Sequence, residues 1–241
     1  MSESGDTNAA IWQSGDILQH WTAEAANRHR RHGPQWRLMA ELLPFAPRQE
    51  FTFLDLGAGT GAASQAVLAR HERSSGILAD FSAQMMGAGQ EELKAFAGRY
   101  RYVEFDLAAG GRWPEEIPGA VDAVITSLSV HHLLDERKQA LFAEILDHLV
   151  PGGWYLNYDP VQPADEAVGA VWERVADLED PAAAEKRHHP TPEEQARHAN
   201  HVRYMIPLAQ QLEYLRAAGF QSTDVFFKRL EWVIHGGRRP A

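Results

Sequence analysis

Residues 51–61 read FTFLDLGAGTG, and this stretch decides the fold. An apolar run rich in Phe and Leu leads directly into three glycines, Gly57, Gly59 and Gly61, and a helical pattern begins at Ala62. Glycine has no Cβ, so the chain can turn sharply there and let a ligand approach the backbone closely. The order of strand, glycine turn and helix predicts the opening of a nucleotide-binding α/β unit.

Two kinds of ligand fit this turn. The spacing Gly57-x-Gly59-x-x-Ala62 satisfies the dinucleotide pattern G-x-G-x-x-G/A. Asp55, two residues before the first glycine, argues for the other kind, because a carboxylate repels a pyrophosphate. The same carboxylate attracts S-adenosylmethionine, which has no phosphate and carries an ammonium and a sulfonium.

The run DLGAGTG, residues 55–61, resembles the first motif of class I S-adenosylmethionine-dependent methyltransferases. Two later landmarks occur in family order, L-x-P-G-G at residues 149–153 and L-x-x-A-G-F at residues 215–220. The resemblance extends over about residues 45–237. It implies an α/β fold, with a Rossmann-like seven-stranded, mostly parallel sheet, one reversed strand and helices on both faces.

The same resemblance implies which residues bind the cofactor. Asp80 lies 25 residues beyond Asp55, close to the ~20-residue spacing at which an acid reaches the ribose hydroxyls. The run DFSAQM, residues 80–85, resembles the family's D-x-S-x-x-M, which places Phe81 on the adenine. Asp106, after the third strand, is implied to bind the adenine amino group. The full set of expected cofactor contacts is Asp55, Gly57, Ala58, Gly59, Gly61, Asp80, Phe81, Met85, Asp106, Leu107 and Ser127.

Two adjacent histidines, His131 and His132, follow the predicted fourth strand. Open parallel sheets bind ligands beyond the carboxyl ends of their strands, so we expect this loop to face the transferred methyl group. Histidine titrates near neutral pH, which makes both residues candidates for a catalytic general base. Relatives carry a similar S-L-x-x-H-H-L, in which a histidine serves the loop or the cofactor, and this alternative stays open.

The two segments that flank the predicted core are interpreted as acceptor-binding parts. Residues 1–45 are expected to form a tail and a helical lid, with a helix over residues 17–45 that breaks at Gly33-Pro34. The resemblance implies that residues 46–241 form the methyltransferase domain, and residues 160–206, which interrupt the strand–helix alternation, are expected to be a helical acceptor cap. Residues 28–32, RHRRH, are either a solvated helix face or a surface for an anionic acceptor. The expected acceptor contacts are Trp21, Arg28, Asn157, Tyr158, Asp159, His201 and Tyr204, with Trp36 as a further lid residue.

Composition limits the function further. The formal charge of −10 over 241 residues argues against a nucleic-acid partner. There is no cysteine, which excludes disulfides, thiolate metal sites and a cysteine nucleophile. The histidines of residues 160–206 lack a metal-binding motif, so no metal is predicted. No apolar run reaches the ~20 residues of a membrane span and the first residues are polar, so we expect a cytoplasmic monomer or homodimer without membrane contact.

The implied reaction is methyl transfer from S-adenosylmethionine to a small-molecule oxygen or nitrogen nucleophile, which leaves S-adenosylhomocysteine. One alternative is an enzyme that uses a modified S-adenosylmethionine to modify the wobble uridine of tRNA. A second is an NAD-dependent oxidoreductase, which Asp55 and the later landmarks disfavour. A third is a non-catalytic cofactor-binding domain, which the intact set of glycines and acids disfavours.

Overall fold

The computed structural model describes residues 25–241. Trp21 and the rest of residues 1–24 lie outside the described residues. Within residues 25–241 the chain forms one sheet of seven strands. The strands are β1 (Phe51–Leu56), β2 (Ser74–Asp80), β3 (Tyr100–Glu104), β4 (Val121–Ser127), β5 (Leu149–Pro160), β6 (Gln221–Arg229) and β7 (Trp232–Arg238). Their order across the sheet is β3-β2-β1-β4-β5-β7-β6.

The sheet is parallel except at β7, which runs antiparallel to both β5 and β6. The predicted mostly parallel sheet with one reversed strand is therefore confirmed. The helices are α1 (Ala25–Leu42), α2 (Ala62–Arg70), α3 (Ala83–Glu92), α4 (Asp135–His148), α5 (Glu166–Glu179), α6 (Pro181–His188), α7 (Pro192–Val202) and α8 (Leu208–Ala218). None of these helices is long and apolar enough to cross a membrane.

The central strand β1 is covered on both faces, which explains its continuous apolar sequence. Successive side chains of a strand point to opposite faces. Leu54 and Leu56 join a core with residues of α4 and α8. Phe51 and Phe53 join a second core with residues of α1 and α2. Asp55 interrupts this apolar run, buried at the end of the strand next to the glycine turn.

The predicted helix break at Gly33-Pro34 is wrong, because α1 runs through both residues. A proline inside a helix removes one backbone hydrogen bond. Pro34 is exposed and the helix continues into Trp36 and Met39, which are buried against the body. The packing of α1 on α2 holds the helix together across the missing bond.

Residues 160–206 form three helices, α5, α6 and α7, of which α6 was not expected from the sequence. No residue of α5 is buried. The two ends of the segment meet in a parallel bridge between Gln162 and Pro207, and the Gln162 amide donates to the Ile206 carbonyl at 3.1 Å. The segment therefore leaves the body and returns to it at one point.

Candidate functional site

A cleft of about 970 Å³, partly open to solvent, lies at the carboxyl ends of β1, β2 and β4. Every expected cofactor residue except Gly61 lines it. Trp36, Ser129 and His132 also line the cleft. The position agrees with the general rule for open parallel sheets, in which ligands bind beyond the carboxyl ends of the strands.

The glycine turn forms one wall of the cleft, and its backbone needs residues without a Cβ. Gly57, Gly59 and Gly61 have φ of 70°, 54° and 79°. A Cβ on Gly57 would lie 2.5 Å from the Cβ of Ser129. A Cβ on Gly61 would lie 2.5 Å from Leu93, so Gly61 is required for packing under the turn rather than as a lining residue.

One carboxylate oxygen of Asp55 is buried and accepts no hydrogen bond from the described residues. Its side chain is 1% exposed, and its Oδ2 accepts from the Ser64 hydroxyl at 2.6 Å. Its Oδ1 has no hydrogen-bond partner within residues 25–241. Burial raises the pKa of Asp55 to about 7, and the Ser64 hydrogen bond opposes that rise. A buried, half-satisfied carboxylate is suited to a cationic group of a ligand.

Asp80 connects the glycine turn to the start of α3. Its Oδ2 accepts from the Gly59 amide at 2.7 Å, and its Oδ1 accepts from the Ser82 amide at 2.9 Å. Burial raises the pKa of Asp80, and hydrogen bonds from backbone amides oppose that rise. Asp106 stays partly exposed, and its Oδ1 accepts from the Ala108 amide at 2.8 Å. Three carboxylates thus line the cleft.

The opposite wall is formed by α1 and the loop after β4. The Trp36 indole donates to the Ser127 hydroxyl at 2.7 Å. Leu128 follows with a φ of 56°, which is rare for a residue with a branched side chain and costs about 1–3 kcal/mol. Its amide donates to the Tyr158 carbonyl at 2.9 Å, and this bond helps to hold the strained residue in place. Arg28, also on α1, does not line the cleft.

The two histidines occupy a short 3₁₀ turn, Val130–His132, and they face different surroundings. His132 lines the cleft, whereas His131 is buried behind it with 3% exposure. His131 Nδ1 lies 2.8 Å from Asp159 Oδ1, and the His131 amide donates to Asp159 Oδ2 at 3.0 Å. Since a carboxylate only accepts, Nδ1 carries the proton and Nε2 keeps a lone pair. Nε2 has no partner within residues 25–241.

Electrostatics keep both histidines neutral. Burial lowers the pKa of His131 well below its ordinary value, and His201 and Lys138 act in the same direction. Burial also lowers the pKa of His132. Burial raises the pKa of Asp159 to about 6, so this carboxylate is still mostly charged at neutral pH.

The segment of residues 160–206 reaches the histidine turn through α7. The His201 ring centroid lies 4.9 Å from that of His131 and 6.2 Å from that of His132. Lys138 of α4 is fully buried, and its ammonium donates to the Leu133 carbonyl at 2.6 Å and to the Tyr204 carbonyl. The sequence did not indicate this role, because a lysine in an amphipathic helix is typical of the solvent-exposed face.

None of the expected acceptor contacts within residues 25–241 lines the cleft, and Asn157, Tyr158 and Asp159 lie behind its wall. Asn157 and Asp159 point to the face covered by α4 and α8, and both are fully buried. Asn157 Oδ1 accepts from the Thr126 hydroxyl at 2.8 Å. Tyr158 points to the opposite face, where its hydroxyl lies 2.8 Å from His32 Nδ1. The alternation of side chains along β5 explains this division.

Within residues 25–241 no group of three or more His, Cys, Asp or Glu side chains is arranged to hold a metal ion. The nearby rings of His131, His132 and His201 have one carboxylate beside them, that of Asp159, and both of its oxygens are hydrogen-bonded to His131.

Residues 54–155 match a protein family described as "Methyltransferase domain". Over this stretch, which runs from β1 into β5, the resemblance to class I methyltransferases is confirmed. A search among curated proteins found no match to this chain.

Solved methyltransferase structures share its fold. An O-methyltransferase family protein from Burkholderia thailandensis superposes with a TM-score of 0.67 at 17% identity, over 98% of this chain and 63% of that one. Human N-acetylserotonin methyltransferase, solved with SAM, superposes with a TM-score of 0.64 at 17% identity, over 100% of this chain and 61% of that one. A chain of the Haloferax volcanii complex with the Trm112 methyltransferase activator superposes with a TM-score of 0.62 at 16% identity, over 93% of this chain and 98% of that one. The chain thus spans less than two thirds of the length of the first two proteins.

Proposed function

We propose that the chain transfers the methyl group of S-adenosylmethionine to a small-molecule acceptor through an O–H or N–H group, and releases S-adenosylhomocysteine. The observation that carries the proposal is the free Oδ1 of Asp55 beside the glycine turn. A buried carboxylate at this point repels a pyrophosphate and attracts the ammonium of the cofactor's amino-acid part. This favours S-adenosylmethionine over a dinucleotide.

The other lining residues fit the same cofactor. In the proposed complex Asp80 accepts hydrogen bonds from the ribose hydroxyls, since its two oxygens already lie at the turn and at the start of α3. Phe81 and Leu107 lie on the two faces of the adenine, and Asp106 accepts from its amino group. Gly57 and Gly59 leave room for the ligand against the backbone. Bound S-adenosylmethionine supplies an electrophilic methyl group on its sulfonium.

The chain's own residues then orient the acceptor, which can contribute on the order of 7–11 kcal/mol to catalysis. His132 lines the cleft and in this proposal contacts the acceptor. His131 lies directly behind it, with ring centroids 3.8 Å apart, and Asp159 fixes its tautomer. The neutral imidazole of His131 keeps a lone pair on Nε2, and a neutral imidazole accepts a proton from a hydroxyl or an amine. We therefore assign the pair of histidines to proton transfer from the acceptor.

We further propose that residues 1–45 and 160–206 shape the acceptor site, as lid and cap of the domain formed by residues 46–241. Trp36, which bonds to Ser127 on the cleft wall, supports the lid assignment. His201, whose ring lies near His131, and Tyr204, whose carbonyl accepts from Lys138, support the cap assignment. The protein is proposed to act in the cytoplasm as a monomer or homodimer.

Native mass spectrometry of the purified protein tests the proposal. Retained S-adenosylmethionine or S-adenosylhomocysteine supports it, whereas a dinucleotide overturns it. A carboxylated S-adenosylmethionine favours the alternative of tRNA wobble-uridine modification. If no ligand is retained, calorimetric titration with the same three ligands decides among them. Acceptors are then sought with methyl-deuterated S-adenosylmethionine and pooled phenols, alcohols and amines, in which a mass gain of one labelled methyl group identifies the product.

A further inference from the structure

The glycine turn is held from outside the cleft by a tyrosine that the sequence analysis did not single out. Tyr102 lies on β3, which is separated from β1 by β2. Its hydroxyl donates to the Gly59 carbonyl at 3.1 Å. Tyr102 does not line the cleft.

The surrounding chain leaves space for this side chain. A Cβ on Gly89 of α3 would overlap the Tyr102 hydroxyl, and a Cβ on Gly61 would lie 3.1 Å from it. Two glycines, one in the turn before α2 and one within α3, therefore border the same hydroxyl group. Gly61 takes a positive φ, but Gly89 does not, so the close approach of Tyr102 is the reason for a glycine at position 89.

The hydroxyl remains a donor under physiological conditions. Burial raises the pKa of Tyr102, and Asp55 and Asp80 raise it further because a phenolate would be repelled by their carboxylates. The phenol is therefore protonated at neutral pH. Its proton is directed at the Gly59 carbonyl, which can only accept.

Gly59 is thus fixed at both of its backbone polar groups. Its amide donates to Asp80 at 2.7 Å, and its carbonyl accepts from Tyr102 at 3.1 Å. A glycine at a φ of 54° has many accessible backbone conformations, so two bonds of this kind restrict it strongly. The hydrogen bond from the Gly59 amide also helps to orient the Asp80 carboxylate.

We propose that Tyr102 is a positioning residue for the cofactor, acting through Gly59 to hold the turn and Asp80 in the geometry that binds the ribose. This inference rests on the proposed function. In this proposal a residue of the edge strand β3 contributes to cofactor affinity, although Tyr102 does not line the cleft.

Tyr102→Phe tests the proposal, with Tyr100→Phe as the matched control. Tyr100 lies two residues earlier on β3, and its hydroxyl donates to the Gln90 carbonyl of α3 at 3.3 Å, away from the turn. A free energy equal to that of one buried hydrogen bond corresponds to about fivefold in affinity when it serves to hold the turn ready for the ligand. We expect calorimetry to show about fivefold weaker S-adenosylhomocysteine binding in Tyr102→Phe and less than a twofold change in Tyr100→Phe. Thermal unfolding midpoints of the two variants should lie close together.

A double-mutant cycle separates positioning from a general loss of stability. In an Asp80→Ala background the added Tyr102→Phe change should weaken binding by less than twofold, because the carboxylate that Tyr102 is proposed to position is already gone. Additive losses, or wild-type affinity in Tyr102→Phe, overturn the inference. A wild-type protein that does not bind S-adenosylhomocysteine overturns the proposed function instead.

A second pair of variants reaches the same contact from α3. Gly89→Ala displaces the Tyr102 hydroxyl and should weaken binding by about fivefold. Gly87→Ala, two residues earlier with no atom within 4 Å of the added Cβ, should leave the affinity unchanged. Equal affinities in the two alanine variants contradict the inference.

Discussion

Asp159 holds His131 with both oxygens of its carboxylate, one on the ring Nδ1 at 2.8 Å and one on the backbone amide at 3.0 Å. Asp159 is the penultimate residue of β5, and His131 lies in the turn after β4, so this contact joins the carboxyl ends of neighbouring strands. Both side chains are almost fully buried. The ring therefore has one orientation and one tautomer before any acceptor arrives.

Asp159→Asn should lower the free energy of unfolding by about 2–3 kcal/mol, because a side-chain amide replaces one acceptor oxygen with a donor and leaves a buried His131 donor unmet. Urea unfolding measures the loss. Asp147→Asn, at an exposed position of α4, is the control and should stay within about 0.5 kcal/mol of wild type. An equally small loss in Asp159→Asn would show that the contact contributes little to stability.

His131→Ala and His132→Ala should each change the affinity for S-adenosylhomocysteine by less than about twofold, because both rings are assigned to the acceptor side. His131→Ala should also reduce stability by about 1–3 kcal/mol, since Asp159 loses its ring donor. Calorimetry and urea unfolding give the two quantities separately. A large loss of affinity in either variant would move that histidine to the cofactor side.

Asp80→Ala should weaken S-adenosylhomocysteine binding by at least about tenfold, since charge-assisted hydrogen bonds to the ribose are lost. The variant also loses the bonds from Asp80 to the Gly59 and Ser82 amides, so circular dichroism must confirm that it is folded. Unchanged affinity in a folded variant would remove the ribose assignment.

Asp55 should make cofactor binding depend on pH. Its pKa of about 7 in the free protein lies above its ordinary value, so the free folded state holds the proton more tightly than the unfolded state. This contribution to stability is therefore present at low pH and is lost as the pH rises towards about 7. A cationic ligand needs the carboxylate, so its binding should release a proton near neutral pH.

Titrations from pH 8 to pH 6 should accordingly show weaker S-adenosylhomocysteine binding as the pH falls, by at most about tenfold per unit below pH 7. Calorimetry in buffers of different ionisation enthalpy counts the released proton. Asp55→Asn should abolish that proton release. A pH-independent affinity in the wild-type protein would contradict a contact between Asp55 and the cofactor ammonium.

Gly57→Ala should remove at least about 2 kcal/mol of stability, because it combines a positive φ with a collision against Ser129. Gly87→Ala, in the exposed part of α3, should instead add about 0.5–1 kcal/mol, since alanine restricts the unfolded chain and favours helix. Urea unfolding of both variants compares them directly. A stable Gly57→Ala variant would show that the turn can open without loss of the fold.

Local pattern predicted the parts of the molecule in which a few consecutive residues decide the conformation. The strand and glycine turn at residues 51–61 are of this kind, and so are the landmarks at residues 149–153 and 215–220. The predicted helix break at Gly33-Pro34 was wrong because α1 is stabilised there by contacts with α2, and the local sequence carries no information about these contacts.

The candidate site was predicted less evenly. Residues next to the glycine turn were found because they follow strand ends, and strand ends can be read along the chain. Lys138 and Tyr102 were missed because their partners are distant in sequence, Tyr204 for the first and Gly59 for the second. Contacts of this kind arise only when the sheet brings separate segments together.

The bridge between Gln162 and Pro207 has a consequence for how such a protein can change. A loop whose two ends already touch can be exchanged for one of another length at about 0.6 kcal/mol per doubling, because closure entropy varies slowly with length. The segment proposed as the acceptor cap could thus be replaced while the sheet and the glycine turn stay as they are. A transplanted segment would need to keep a carbonyl for the buried ammonium of Lys138. New specificities could then evolve on a conserved cofactor scaffold by substitution of a single contiguous segment.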